Sequence, residues 1–258
     1  MNYTHEYLEK EIMKKVSIDK TTSNFFITVC GENIDTYPLD FNQKNVKIVN
    51  DVENSFLTFF SIFTENENFD LNNFRNNLNK NLVIAVDMNG KNKDSGTTVY
   101  NDTKNLFGIY ADSTLIERGV IFHELFHFAS HPTNFKRGLN EGYTEALTHR
   151  YFNKTKLAYP DNVYYAIELE KIIGKDIMEK AYSCGNINIV KDYIGEENSY
   201  TFEKINTRLD LLLGSYYRVN NNKALEDEQK RVLKAKEELN QYLELLQKNI
   251  VSVNKRSK

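Results

Sequence analysis

The stretch GVIFHELFHFASHP, residues 119 to 132, holds three of the chain's five histidines, His123, His127 and His131, at four-residue intervals, with Glu124 beside the first. Four residues make roughly one helical turn, so the His123 and His127 imidazoles share a face and both can reach one ion. Glu124 is rotated by about 100° from His123, which sets its carboxylate next to a metal and not on it. In this H-E-x-x-H arrangement two histidines bind zinc and the glutamate takes a proton from water. Polar groups in an otherwise apolar helical run need such a reason.

A catalytic zinc takes three protein ligands and leaves a fourth place open. The segment NEGYTE, residues 140 to 145, offers two acids, Glu141 and Glu145, at i and i+4 on one face of a second helix. One can ligate while the other accepts the second N–H of a ligating histidine and fixes its orientation. With no basic partner nearby in sequence the two carboxylates would repel, and a divalent cation removes that penalty.

HELFH followed by NEGYTE resembles the gluzincin branch of zinc metallopeptidases, the thermolysin-like group, over about residues 105 to 150. The resemblance implies one zinc per chain, held by His123, His127 and Glu141, with Glu124 as general base and Glu145 as an acid one turn beyond. Only 13 residues separate His127 from Glu141, a shorter connection than in the best-known gluzincins, so Glu145 stands as the alternative third ligand. A separate donor to the reacting carbonyl is not placed, and His149, Tyr143, Tyr216 and Tyr217 are its candidates. The metzincin pattern fails at Ser130 and Thr133, and His131, directly before Pro132, reads as a helix C-terminal histidine favoured by the dipole. The resemblance also implies that NLFGIYAD, residues 105 to 112, forms a sheet edge on which an extended peptide pairs.

The elements that must position these residues change character along the chain. FFITVC (25 to 30), NLVIAVDM (81 to 88), TTVYN and NLFGIYAD read as strands, while VENSFLTFFSIF (52 to 63) and FDLNNFRNNLNK read as helices. From Ser113 onward the pattern is helical: Thr114 and Glu117 form a capping box, Pro132 ends that helix, and further helices are predicted over 139 to 152 and 162 to 182. Gly142 inside the helix predicted over 139 to 152 points to close packing. The expected fold class is α+β, a small mixed or antiparallel sheet followed by a mostly helical half carrying the zincin active-site helix.

The expected organisation is one metallopeptidase domain over 1 to 222, with a mixed α/β part to 112 and a helical part from 113, then a charged amphipathic helix over 223 to 258. In that tail Leu225, Val232, Leu239, Leu246 and Val253 recur at sevens, with Leu243 and Ile250 widening the stripe. The stripe suits docking on its own domain or self-association through a coiled-coil seam.

With 33 basic against 36 acidic side chains, the net charge of -3 offers no cationic field for nucleic acid. No run approaches a membrane span, and the charged first residues contain no apolar signal core. Cys30 and Cys184 stand in unrelated contexts without CxxC spacing, as two thiols in a reducing compartment would. The cytoplasm is the default expectation, and an unconventionally exported protein would read identically. The function expected is zinc-dependent hydrolysis of a peptide bond in a peptide or protein substrate. Two alternatives stay open: a cytoplasmic regulatory protease acting on one partner, and a non-enzymatic zinc-stabilised interaction module that works through the tail. The intact general base argues against the last, because structural zinc is usually closed by four ligands and has no use for Glu124.

Overall fold

The computed structural model describes residues 16–18, 25–29, 43–78, 81–87, 97–101, 106–112, 119–153, 158–220 and 225–256. The expected α+β class is overturned: helix dominates the described chain, beginning well inside the first 112 residues, and the fold class is helical. The physical reason lies in the Phe-rich segment. Phe56, Phe59, Phe60 and Phe63 recur at helical spacing, and all four are buried on one stripe of α1 (Gln43–Glu65). This segment, expected as a helix over 52 to 63, packs helix against helix and makes the core of its unit without needing the strands.

Two compact units are present, Met1–His131 with Tyr151–Thr155, and Pro132–Arg150 with Lys156–Lys258. In the first, α1 packs with α2 (Leu71–Leu78) and α3 (Val120–Ser130) through an aromatic cluster. The Phe59 ring lies 5.0 Å from Phe126 edge-on, 5.4 Å from Phe63 and 5.9 Å from Phe152. Such pairs add to simple area burial because ring edges and faces carry opposite partial charge. Short backbone strands are the minor element here: β1 (Val16–Ile18), β2 (Phe25–Val29), β3 (Asn81–Asp87), β4 (Thr97–Asn101) and β5 (Leu106–Asp112) pair in the order β1-β2-β3-β5-β4. β5 runs parallel to β3 over seven residues and antiparallel to β4 over five, so it is an inner strand. The expectation that residues 105 to 112 form the sheet edge is therefore corrected; among the described strands β4 ends the order on that side.

The second unit contains most of α4 (Arg137–Phe152), then α5 (Pro160–Ile173), α6 (Lys175–Ser183), α7 (Asn188–Ile194), α8 (Glu196–Asn220) and α9 (Leu225–Arg256). The helical pattern predicted over 162 to 182 is split at Gly174, whose φ of 108° no other residue type adopts readily. Gly142 makes the close approach its position suggested: a Cβ there would lie 2.6 Å from the Asn162 carbonyl oxygen. Gly138 is tighter still, with a Cβ falling 2.3 Å from the Leu209 carbonyl carbon, and its N–H donates to Asp210 at 2.6 Å.

The tail stripe docks on the chain's own α8. Ala235, Leu239, Leu243, Leu246 and Ile250 are buried, and polar pairs run down the α8–α9 hairpin from Arg218–Glu228 through Arg208–Glu238 to Asn198–Asn249. Among the described residues no helix is long and apolar enough to cross a membrane.

Candidate metal centre

The expected Thr114–Glu117 capping box lies outside the described residues. α3 starts at Val120 behind Gly119, which takes the left-handed conformation at φ 76°. It ends at Ser130. His131 is extended, as the residue before Pro132 must be. Asn77 of α2 closes this end: its Nδ2 donates to the Phe128 and His131 carbonyls at 2.6 Å each, satisfying acceptors that the last turn leaves without helical donors. Nothing in the local sequence of FRNNLNK marks Asn77 for this task.

On α3 the His123 and His127 Nε2 atoms lie 3.1 Å apart, with the two rings inclined at 76°. Two nitrogens bound to one tetrahedral zinc at about 2.0–2.1 Å would be about 3.3 Å apart, so the imidazoles already converge as ligands would. His123 is buried and His127 half-buried. Both histidines lie in the first unit and Glu141 in the second. Two imidazoles from one helix suit a borderline cation such as zinc and leave places for further ligands.

Glu124 is buried at 4% exposure, and its Oε2 accepts the Thr98 hydroxyl at 2.7 Å. Thr98 was read only as part of the strand TTVYN; its role depends on a pairing 26 residues long, which no local signal announces. Glu141 is largely covered, and Arg137, one turn earlier on α4, approaches it at 4.0 Å. That guanidinium corrects the expectation that Glu141 and Glu145 lack a nearby basic residue.

Glu145 is fully buried, and one of its carboxylate oxygens accepts the Ala158 backbone N–H at 2.8 Å. The four candidate donors part company. Tyr143 is fully buried and its hydroxyl donates to Glu170 at 2.5 Å; burial and the Glu170 charge push its pKa well above the ordinary tyrosine value, so it stays protonated. The Tyr217 and Tyr159 hydroxyls are 2.9 Å apart, with the Arg137 guanidinium 5.4 Å from the Tyr217 ring centre. Tyr216 packs edge-on against Tyr159, and His149 is exposed on α4. Cys184 is not in a disulfide among the described residues, and Cys30 lies outside them.

No family model, curated protein or solved structure matches this chain.

Proposed function

We propose that this chain is a zinc-dependent peptidase that hydrolyses peptide bonds with Glu124 as general base. The observation behind the reading is the pair of imidazoles on α3, with the His123 and His127 Nε2 atoms 3.1 Å apart, next to the buried Glu124 carboxylate. When bound, zinc supplies Lewis acidity toward the substrate carbonyl and makes water a better nucleophile. The chain's own residues do the rest. His123 and His127 direct Nε2 at a common point, and Glu141 adds one negative charge to that donor set. Glu124 takes a proton from the attacking water and delivers it to the leaving amine as the C–N bond breaks, so the carboxylate ends in the state in which it began.

The test is elemental analysis of dialysed protein beside Glu141→Ala and Glu124→Gln, followed by turnover of internally quenched peptides. One zinc per chain is expected in the native protein and in Glu124→Gln, with loss in Glu141→Ala. Glu124→Gln should lose at least about a hundredfold in kcat, the lower end of what general acid–base catalysis contributes. Native protein that neither contains nor takes up zinc refutes the reading.

A further inference from the structure

The carboxylate assigned as general base has a partner that the proposed reaction does not itself require. Glu124 Oε2 accepts the Thr98 hydroxyl at 2.7 Å, and the same hydroxyl oxygen lies 3.3 Å from the Glu124 backbone carbonyl. Thr98 belongs to β4 and Glu124 to α3, so the contact ties strand to helix at the reacting group.

A glutamate carboxylate turns freely about its last torsion, because terminal sp³–sp² rotors have broad wells. A proton acceptor in a reaction gains from having one oxygen fixed, since misplacement by even an ångström is costly when the reacting atoms must be aligned. Hydrogen bonding to one carboxylate oxygen sets the plane of the group and leaves the other oxygen with its lone pairs unspent. Here the held oxygen is Oε2.

We infer that Thr98 is a positioning residue for this reaction: by holding Oε2 of Glu124 it presents Oε1 to the attacking water. The inference rests on the peptidase reading and deepens it. Serine keeps the donor at Thr98, whereas valine keeps the branched shape and deletes it.

The experiment uses the full chain loaded with zinc, as wild type, Thr98→Val, Thr98→Ser, Glu124→Ala and the Thr98→Val/Glu124→Ala pair. Three quantities are read: zinc per chain, kcat and KM on one internally quenched peptide, and the Kd of acetohydroxamic acid by calorimetry. That compound is a small zinc chelator whose O–H hydrogen-bonds to a neighbouring base. Zinc content should be equal in all five proteins.

Thr98→Val should lower kcat by roughly 10- to 100-fold, the range of one hydrogen bond to a charged group, with KM nearly unchanged. It should weaken acetohydroxamate in parallel. Thr98→Ser should restore both, and in the Glu124→Ala background Thr98→Val should change neither. Thr98→Val matching wild type in kcat and acetohydroxamate affinity, a further loss in the Glu124→Ala background, or serine failing to restore, each overturns the positioning role alone. Wild-type protein that takes up no zinc, or a Glu124→Ala variant with full turnover, overturns the peptidase reading and this inference with it.

Discussion

Replacing Arg150 with methionine keeps an unbranched apolar stem and deletes a charge from the last turn of the helix that carries Glu141. The Arg150 guanidinium donates to Glu170 at 2.5 and 3.0 Å and to Glu179 at 2.8 Å, and Tyr143 completes the cluster through Glu170. Burial alone would lower the arginine's pKa; its hydrogen bonds and charge pairing with Glu170 outweigh that and hold it above the ordinary arginine range. The glutamate side chains are 9% and 0% exposed, so the variant leaves two carboxylates facing each other in a dry setting with Lys175 no closer to Glu179 than 3.8 Å.

Breaking a buried pair by removing one partner costs about 3–5 kcal/mol. Arg150 itself is 26% exposed, which admits solvent to one side and brings the expectation down to about 2–4 kcal/mol. For a chain of this size each kcal/mol moves Tm by roughly 2–4 °C, so thermal unfolding followed by circular dichroism at pH 7 should drop by roughly 5–15 °C. Adding Glu179→Gln to Arg150→Met removes half of the stranded charge and should recover part of the loss. A single variant within about 1 kcal/mol of wild type, or a double variant less stable than the single, would refute the view that α4 is held to α5 and α6 by this cluster.

Three further outcomes are expected. Gly142→Ala gains about 1 kcal/mol of helix propensity but drives a methyl to 2.6 Å from the Asn162 backbone, an overpacking that costs about 1–3 kcal/mol, so the urea midpoint should fall or at best hold, and Gly138→Ala should fall further; either midpoint rising above wild type contradicts the packing. Hydrogen bonds from Arg218 first and Ser215 second hold the Glu228 pKa below the usual carboxylate value, so its contribution to the α8–α9 hairpin is present above the unfolded value of about 4.3 and disappears as pH falls through the lower folded one. Glu228→Gln should therefore expose α9 to hydrogen exchange at pH 7 and make no difference near pH 2; equal protection at both pH values would count against this. Free zinc at a hundred times its Kd should stabilise the native chain by about 2.7 kcal/mol over the chelated form, and Glu141→Ala should abolish that shift in a melting experiment.

How much was legible depended on the range of the interaction. His123 and His127 converge because four residues make one turn of helix, and that arithmetic needs no knowledge of the fold. Pro132 imposes extended geometry on His131 by a local clash, and Gly142 declared a close contact simply by lacking a side chain. The tail's apolar stripe was equally plain, although whether it met its own chain or a second copy was not, since either surface satisfies the same pattern.

The tertiary structure alone decided the rest. Strand-like alternation in the first 112 residues pointed to an α+β class, but the phenylalanines of α1 close on α2 and α3, and that choice is made by which faces meet. The gluzincin resemblance implied that β5 is a sheet edge; its pairing with both β3 and β4 puts it inside, and strand order is invisible to a reading along the chain. Thr98 on Glu124, Asn77 at the end of α3 and Arg150 between Glu170 and Glu179 all join residues at least 20 positions apart. The amino-acid sequence by itself determined which side chains could bind a metal, because ligand type and helical spacing are local properties. Which groups hold Glu124 and brace the helix that carries Glu141 followed only from packing, where contacts are set by three-dimensional neighbours.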